Sequence, residues 1–301
     1  MRALIVDPTA HAYVKLGEAP DPTPRPDQVL VRVEAISLNR GELPAYSGAA
    51  TGSVPGWDAA GVVLQSAASG GGPAVGTRVV TLGASGAWAA LRAVGLDNLA
   101  ALPEGVDSGD ASALPVAAGT ALRALRAAGS LLGRRVLVTG ASGGVGRFAV
   151  QLAHLGGAEV VAVVGSEARG AGLKELGADT VVVGIDAVGG KVDVAIENVG
   201  GPTLVGAFAL LSTGGKLYSI GGASLTPAVF PPYATVGPDR QLISFTLGGD
   251  MAADLAYLVG LLAAGTLHAQ VDWQGSWDRA SEAIDLLVGR RIAGKAVLLV
   301  G

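Results

Sequence analysis

The stretch VLVTGASGGVGRFAVQLA, residues 136–153, constrains the fold of this chain more than any other. An apolar run of strand character ends at Thr139 and breaks into a glycine-rich turn. Apolar residues then recur at Phe148, Leu152 and Leu155, the spacing of one helix face. Counted from Ala141, the turn reads as G-x-G-x-x-G with alanine in the first slot. Gly143 lets the backbone approach a pyrophosphate, and Gly146 lets the helix pack closely on the strand. The helix start supplies unbonded N–H groups and the positive end of a dipole. An ordinary tight turn between strand and helix has the same outline. The context favours a nucleotide: Ser142, Gly144 and Val145 complete a loop that follows a strand, opens a helix and heads a series of alternating elements.

That series predicts near-continuous apolar strands at 136–140, 160–165, 180–184, 192–197, 216–221 and 242–248, as expected where both sheet faces are covered. Helices fit at 144–156, 167–177, 202–212 and 228–239, giving a doubly wound parallel sheet, an α/β class. A helix at 251–264, a strand near 269–272, a helix at 276–289 and a closing strand KAVLLV follow. The first third differs. MRALIV, QVLVRVEAISL, 60–65 and 77–82 read as antiparallel strands, and 20–27 as a proline-spaced extended loop. Ser108 or Asp110 is expected to cap a helix running to Ala128.

Composition removes several classes. No cysteine among 301 residues excludes disulfides, thiol catalysis and cysteine-bearing zinc sites, and His11, His154 and His268 are scattered. A net charge of −4 argues against a nucleic-acid partner. The apolar stretch 257–267 is far shorter than the ~18–20 residues of a membrane span, and Asp7 and Pro8 come too early for a signal-peptide core. The expectation is a cytoplasmic protein with no membrane or metal partner.

The end of the second strand of the parallel sheet discriminates between cofactors. An NAD binder places an acid there, roughly 20 residues past the loop, to hold the ribose 2′-hydroxyl. Here stand Val164, Gly165 and Ser166, then Arg169 one turn on. A small residue, a hydroxyl and a guanidinium suit a 2′-phosphate, so NADPH is expected, with Glu167 as a nearby competitor. Asn198 falls just past another strand end, where open α/β sheets bind ligands.

With these residues read, the chain resembles the medium-chain dehydrogenase/reductase superfamily, in its zinc-free quinone oxidoreductase (zeta-crystallin-like) branch. Asn39-Arg40-Gly41-Glu42 stands where relatives carry N-x-x-D, and residues 55–61 match P-G-x-[DE]-x-A-G. Residues 118–121, 176–179, 197–201 and 293–297 fall in family order. The resemblance implies a GroES-like β-rich catalytic domain from 1–108 and 265–301 and a Rossmann cofactor domain from 109–264. It also implies cofactor contacts at Thr120, Gly221, Gly222, Phe245, Thr246 and Leu247. Alcohol-dehydrogenase members place metal ligands where Asn39, Trp57 and Val116 stand here, so the expected acceptors are ones that need no Lewis acid. Those are quinones and α,β-unsaturated carbonyls. Asn39 is read as a contact to nicotinamide or substrate, and Asp58 as a structural acid behind the site. Many relatives carry a tyrosine where Pro44 stands; Tyr46 is the candidate donor to the oxyanion or enolate instead.

Two other readings share these residues. One is an enoyl-thioester reductase of lipid or polyketide metabolism, with Arg40, Arg123 and Arg126 as candidate contacts for a carrier arm. The other is a non-catalytic NADPH-binding sensor. Family resemblance also implies a homodimer paired through the LISFTLG strand. Lys295 and Arg291 are expected near the adenine-ribose side or in solvent.

Overall fold

The computed structural model describes residues 1–43 and 48–301. Its contacts divide the chain into two compact units, Met1–Gly119 with Gly248–Gly301, and Thr120–Leu247. The domain ends expected at 108 and 265 therefore both shift: 109–119 and 248–264 pack with the β-rich unit. The reason is the helix Ala252–Ala263, which buries Leu255, Leu258 and Val259 and packs against the strand Leu99–Ala101.

The first unit is built on a sheet ordered Val271–Ser276, Lys295–Leu299, Gln28–Leu38, Asp58–Gln65, Arg78–Leu82, Leu99–Ala101, with Leu91–Gly95 also on Gln28–Leu38. All pairs are antiparallel except Val271–Ser276 with Lys295–Leu299. Val29, Val31 and Val33 point inward along Gln28–Leu38 as the alternation predicts. Its register against Asp58–Gln65 slips between Val33 and Ala35, and there only glycine fits opposite. A Cβ on Gly61 would lie 2.0 Å from the Arg32 carbonyl oxygen. Leu4, Ile36, Trp88, Trp277 and Ile284 form one core, and Val29, Val31, Val63 and Val79 another.

The second unit holds six parallel strands ordered Thr180–Val183, Glu159–Val164, Arg135–Thr139, Val192–Glu197, Leu211–Ser219, Gln241–Ser244. The order reverses between Arg135–Thr139 and Val192–Glu197, which is where such sheets leave a crevice at their carboxyl ends. The doubly wound parallel sheet and the β-rich unit are thus both present.

Several local expectations change. The helix expected at 167–177 is one 3-10 turn, Glu167–Gly170, because the chain turns through Gly172 at φ +76. No helix forms at 228–239, where Pro231, Pro232 and Pro238 remove backbone donors. The helix expected through Ala128 is three pieces, Ser108–Ser112, a wider turn Leu114–Ala118 and Gly119–Ala128. Its cap is Asp107 rather than Ser108 or Asp110: the Asp107 carboxylate accepts from the Gly109 and Asp110 N–H groups. The helix placed at 276–289 narrows to Ala280–Val288 after a 3-10 turn. Strands Val14–Glu18, Leu91–Gly95 and Leu99–Ala101 are additional to those the alternation predicts; each is five residues or fewer.

Candidate functional site

In the second unit the strand Arg135–Thr139 delivers the chain into Gly140 at φ +57 and then into the helix Gly144–Leu155. Ala141 donates to the Val163 carbonyl at 3.1 Å and Gly143 to the Gly140 carbonyl at 3.0 Å, which closes the turn. Gly143 occupies the cap position with no side chain to satisfy the first turn. The N–H groups of Gly144, Val145 and Gly146 bond no acceptor among the described residues. Gly146 admits nothing larger: a Cβ there would sit 2.4 Å from the Gly140 oxygen and 2.6 Å from the Ala141 Cα. The loop therefore has the shape and donors that a pyrophosphate needs.

Beside it, Gly165 opens onto free space and Ser166 is exposed and extended. The Arg169 guanidinium reaches back to donate to Ser142 Oγ at 3.3 Å, so two expected contacts from different strand ends meet. Arg147, unremarked in the sequence, is buried and donates to the Ala171 carbonyl at 2.9 Å, holding the segment that follows Arg169.

Asn198 is woven into the sheet end. Its N–H donates to Thr139 Oγ1 at 3.0 Å and its Nδ2 to the Thr139 carbonyl at 2.9 Å. Glu197, fully buried, accepts from Thr139 Oγ1 and from the Val199 and Gly200 N–H groups at 2.8–3.0 Å. Burial pushes its carboxyl above the usual range against those donors. Gly221 lies against this turn, since a Cβ there would be 2.7 Å from the Asn198 carbonyl oxygen, while Gly222 is open. Thr120 is buried at the start of Gly119–Ala128. Phe245 and Leu247 are half-buried and Thr246 is exposed; Phe245 packs edge-on against Tyr218, and the Leu247 carbonyl accepts from Arg123 at 2.6 Å.

The first unit contains a different construction. Asn39, Glu42, Asp58, Arg92 and Lys295 are all buried, joined by Ser37 and Thr81. Glu42 accepts from the Asn39 and Trp57 N–H groups, both at 2.7 Å. Asp58 accepts from Ser37 Oγ at 2.8 Å, Asn39 Nδ2 at 2.8 Å and the Val116 N–H at 3.1 Å. Lys295 Nζ lies 3.7 Å from Asp58 Oδ2 and donates to Asn39 Oδ1 at 2.6 Å. Arg92 donates to Thr81 Oγ1 at 2.7 Å and to the Trp57 carbonyl at 2.8 Å. Burial, then the charge of Asp58, pushes the Glu42 carboxyl up to about 8. Burial likewise raises Asp58, lowers Lys295, and brings Arg92 down to about 10.

Lys295 is thus a buried partner of Asn39, not a surface or ribose-side cation. A 256-residue separation in sequence hid that contact. His11 pairs with Asp285 at 2.8 Å. Tyr46 and Pro44 lie outside the described residues. Positions 39, 57 and 116 converge on the two buried acids through Asn39 and backbone N–H groups. They present an amide, an indole and an aliphatic chain, a donor set that does not fit zinc. Among the described residues no group of three histidines or acids is placed to hold a metal ion, and no helix is long and apolar enough to cross a membrane.

Comparison with known proteins gives this architecture a family. Residues 25–104 match the alcohol dehydrogenase GroES-like domain, and residues 144–264 match the zinc-binding dehydrogenase family. Mouse quinone oxidoreductase is 30% identical over 303 residues, covering 93% of this chain and 91% of the relative. A mycocerosic acid synthase-like polyketide synthase of Mycolicibacterium smegmatis is 28% identical across 99% of this chain, which spans only 15% of that protein. The quinone oxidoreductase structure from Coxiella burnetii superposes with a TM-score of 0.88 at 25% identity, covering 100% of this chain and 99% of the other. The chain belongs to the medium-chain dehydrogenase/reductase superfamily of pyridine-nucleotide oxidoreductases, in its quinone oxidoreductase branch.

Proposed function

We propose that this protein is an NADPH-dependent oxidoreductase that reduces a quinone or another α,β-unsaturated carbonyl compound without zinc. The observation that carries the choice of acceptor is the side-chain set at 39, 57 and 116. With no thiolate or imidazole there to hold a Lewis acid, a simple ketone or alcohol would go unpolarised. A conjugated carbonyl accepts hydride at carbon and delocalises the charge to its oxygen, where a few hydrogen-bond donors suffice. The N–H groups of residues 144–146 would hold the pyrophosphate, and Ser142, Ser166 and Arg169 the 2′-phosphate. Bound there, reduced nicotinamide supplies the hydride; the protein supplies orientation and charge stabilisation. Tyr46 remains the proposed source of a further donor.

As partner we propose a second copy of the chain, paired through the edge strand Gln241–Ser244. Its outer side is free in the sheet and Leu242 is exposed. A monomeric mass by sedimentation would overturn this.

The test is absorbance at 340 nm with NADPH and, separately, NADH, against quinones, enones and a short enoyl thioester. Turnover of a quinone or enone with a clear preference for NADPH is expected, and Arg169→Ala should erase that preference. Equal use of NADH would remove the 2′-phosphate assignment. Oxidation of NADPH by no acceptor would remove the catalytic reading and favour the sensor.

A further inference from the structure

Three strands of the second unit, Glu159–Val164, Arg135–Thr139 and Val192–Glu197, are neighbours in that order and run parallel, so their carboxyl ends lie side by side. The middle end carries the glycine loop with its open N–H groups, and the first carries Ser166 and Arg169. A dinucleotide lies across such a crevice. A pyrophosphate over the middle strand and a 2′-phosphate over the first therefore put the nicotinamide half over the third. The last residue of that third strand is Glu197, 0% exposed. Its carboxyl group receives hydrogens from Thr139 Oγ1 at 2.9 Å, from the Val199 N–H at 2.8 Å and from the Gly200 N–H, which is shared between the two oxygens at 3.0 Å. The Thr139 hydroxyl takes the Asn198 N–H at 3.0 Å and turns its own hydrogen to Glu197. Three donors on one carboxyl group suit its ionised form. No lysine or arginine among the described residues pairs with it. The result is a buried, hydrogen-bonded negative charge that no cation offsets.

We propose that Glu197 sets the redox preference of the bound dinucleotide, its carboxylate favouring the oxidised, cationic nicotinamide over the reduced, neutral one. This deepens the dinucleotide reading above and rests on it. As hydride passes to the acceptor, one C–H bond breaks at the reduced ring and another forms at the acceptor carbon. The ring is left with one positive charge. Glu197 lowers the energy of that charge as it develops and takes no part in bond making. It thereby makes the bound reduced cofactor a stronger hydride donor and biases the reaction towards reduction of the acceptor. The distance need not be short. At an effective dielectric of about 20, one unit charge alters the affinity for an opposite one about tenfold across roughly 12 Å. A carboxyl group that only pinned the turn at 198–200 would have no such effect, since an amide oxygen can accept the same hydrogens.

The test compares the dissociation constants of NADP+ and NADPH by calorimetric titration of the full-length protein at about pH 8, above the ordinary carboxylate range. In Glu197→Gln one amide oxygen can keep all three hydrogen bonds, because Oε1 alone accepts from Thr139, Val199 and Gly200. The variant loses the charge and little else. Its affinity for NADP+ is expected to fall about tenfold relative to its affinity for NADPH. Glu197→Asp keeps the charge and is expected to hold the wild-type ratio within about threefold. An unchanged ratio in folded Glu197→Gln overturns the proposal even if both affinities fall, because a structural pin moves both dinucleotides together. An equal shift in Glu197→Asp also overturns it, by assigning the ratio to packing. Should Glu197→Gln fail to fold, Glu197→Asp and Glu197→Asn form a shape-matched pair for the same comparison. A wild type that binds neither dinucleotide overturns the nucleotide reading itself, whereas binding of both with an unmoved ratio removes only the role of Glu197.

Discussion

The glycine loop of the second unit and the charge cluster of the first both hold a loop end in one conformation, with opposite materials. The loop does so by omission. Gly143 adds no cap, Gly146 adds no Cβ, and the bonds that close the turn run from backbone to backbone. The cluster does so by addition, with Glu42, Asp58, Arg92 and Lys295 each at 2% exposure or less. Burying four ionisable groups is costly unless each is satisfied; here Asp58 and Lys295 lie against each other, while Glu42 takes two backbone N–H groups and Arg92 gives its hydrogens to Thr81 and the Trp57 carbonyl. The loop leaves N–H groups open for a ligand, whereas the cluster consumes nearly all its polar atoms internally. An open site and a support differ in just this respect, and the difference makes them fail differently.

The largest expected effect lies in the cluster. Asp58→Ala strips Lys295, Asn39, Ser37 and the Val116 N–H of their shared acceptor and leaves the lysine charge unpaired. Removing one partner from a buried ion pair costs about 3–5 kcal/mol. Urea unfolding should show a loss of that order, and a loss below about 1 kcal/mol would mean that water already screens the cluster. Gly146→Ala comes next. Its new Cβ meets backbone rather than a movable side chain, so the helix and strand must separate, at about 1–3 kcal/mol. Dinucleotide binding should fall with it, and retention of both would show that the loop has slack that the distances deny.

These two sites were unequally legible in the sequence. The loop is contiguous, and the residue types at 140–146 carry the geometry themselves, so motif and fold could be read together. The cluster draws on residues 37, 42, 58, 81, 92 and 295, which only the sheet brings together. Asn39 and Asp58 could be singled out by resemblance, but nothing local distinguishes buried Lys295 from a solvated lysine. Arg92 sits on the short strand Leu91–Gly95, which the alternation did not reveal. Boundaries suffered for a similar reason. The reading of 167–177 and 228–239 as helices weighed crossover spacing above Gly172 and the prolines, and local backbone chemistry prevailed.

A pH series addresses the cluster alone, because the loop at 140–146 carries no titratable side chain. Burial lifts the Glu42 carboxyl from 4.5, its value in an unfolded chain, to about 8 in the folded one. Between those values the folded state binds more protons, so raising the pH favours unfolding. The contribution is complete below about pH 4.5 and lost as pH climbs through about 8, and the raised Asp58 carboxyl acts in the same direction. Lys295, lowered by burial, acts in the opposite sense towards the alkaline end. Thermal melts should therefore show Tm declining from about pH 5 to about pH 8, with a shallower slope in Glu42→Gln. An equal slope in that variant would assign the decline to other groups.

The smallest effect is the sharpest discriminator, because stability and binding should move in opposite directions. At Gly143 the backbone is extended, φ −83 and ψ 176, and a Cβ would make only ordinary contact with the Gly140 oxygen at 3.4 Å. Gly143→Asp therefore fits, and its carboxylate can cap the open N–H groups of Gly144–Leu155 as Asp107 caps Ser108–Ser112. Replacing a glycine cap by aspartate is worth only a few tenths of a kcal/mol, a small rise in Tm. The same carboxylate occupies the donors a phosphate would use and repels it, so NADPH affinity should drop steeply in a fluorescence titration. A variant that gains stability while losing affinity would show that the missing cap is kept for the ligand. If affinity survives, the phosphates are held elsewhere, and the loop is only a close-packed turn.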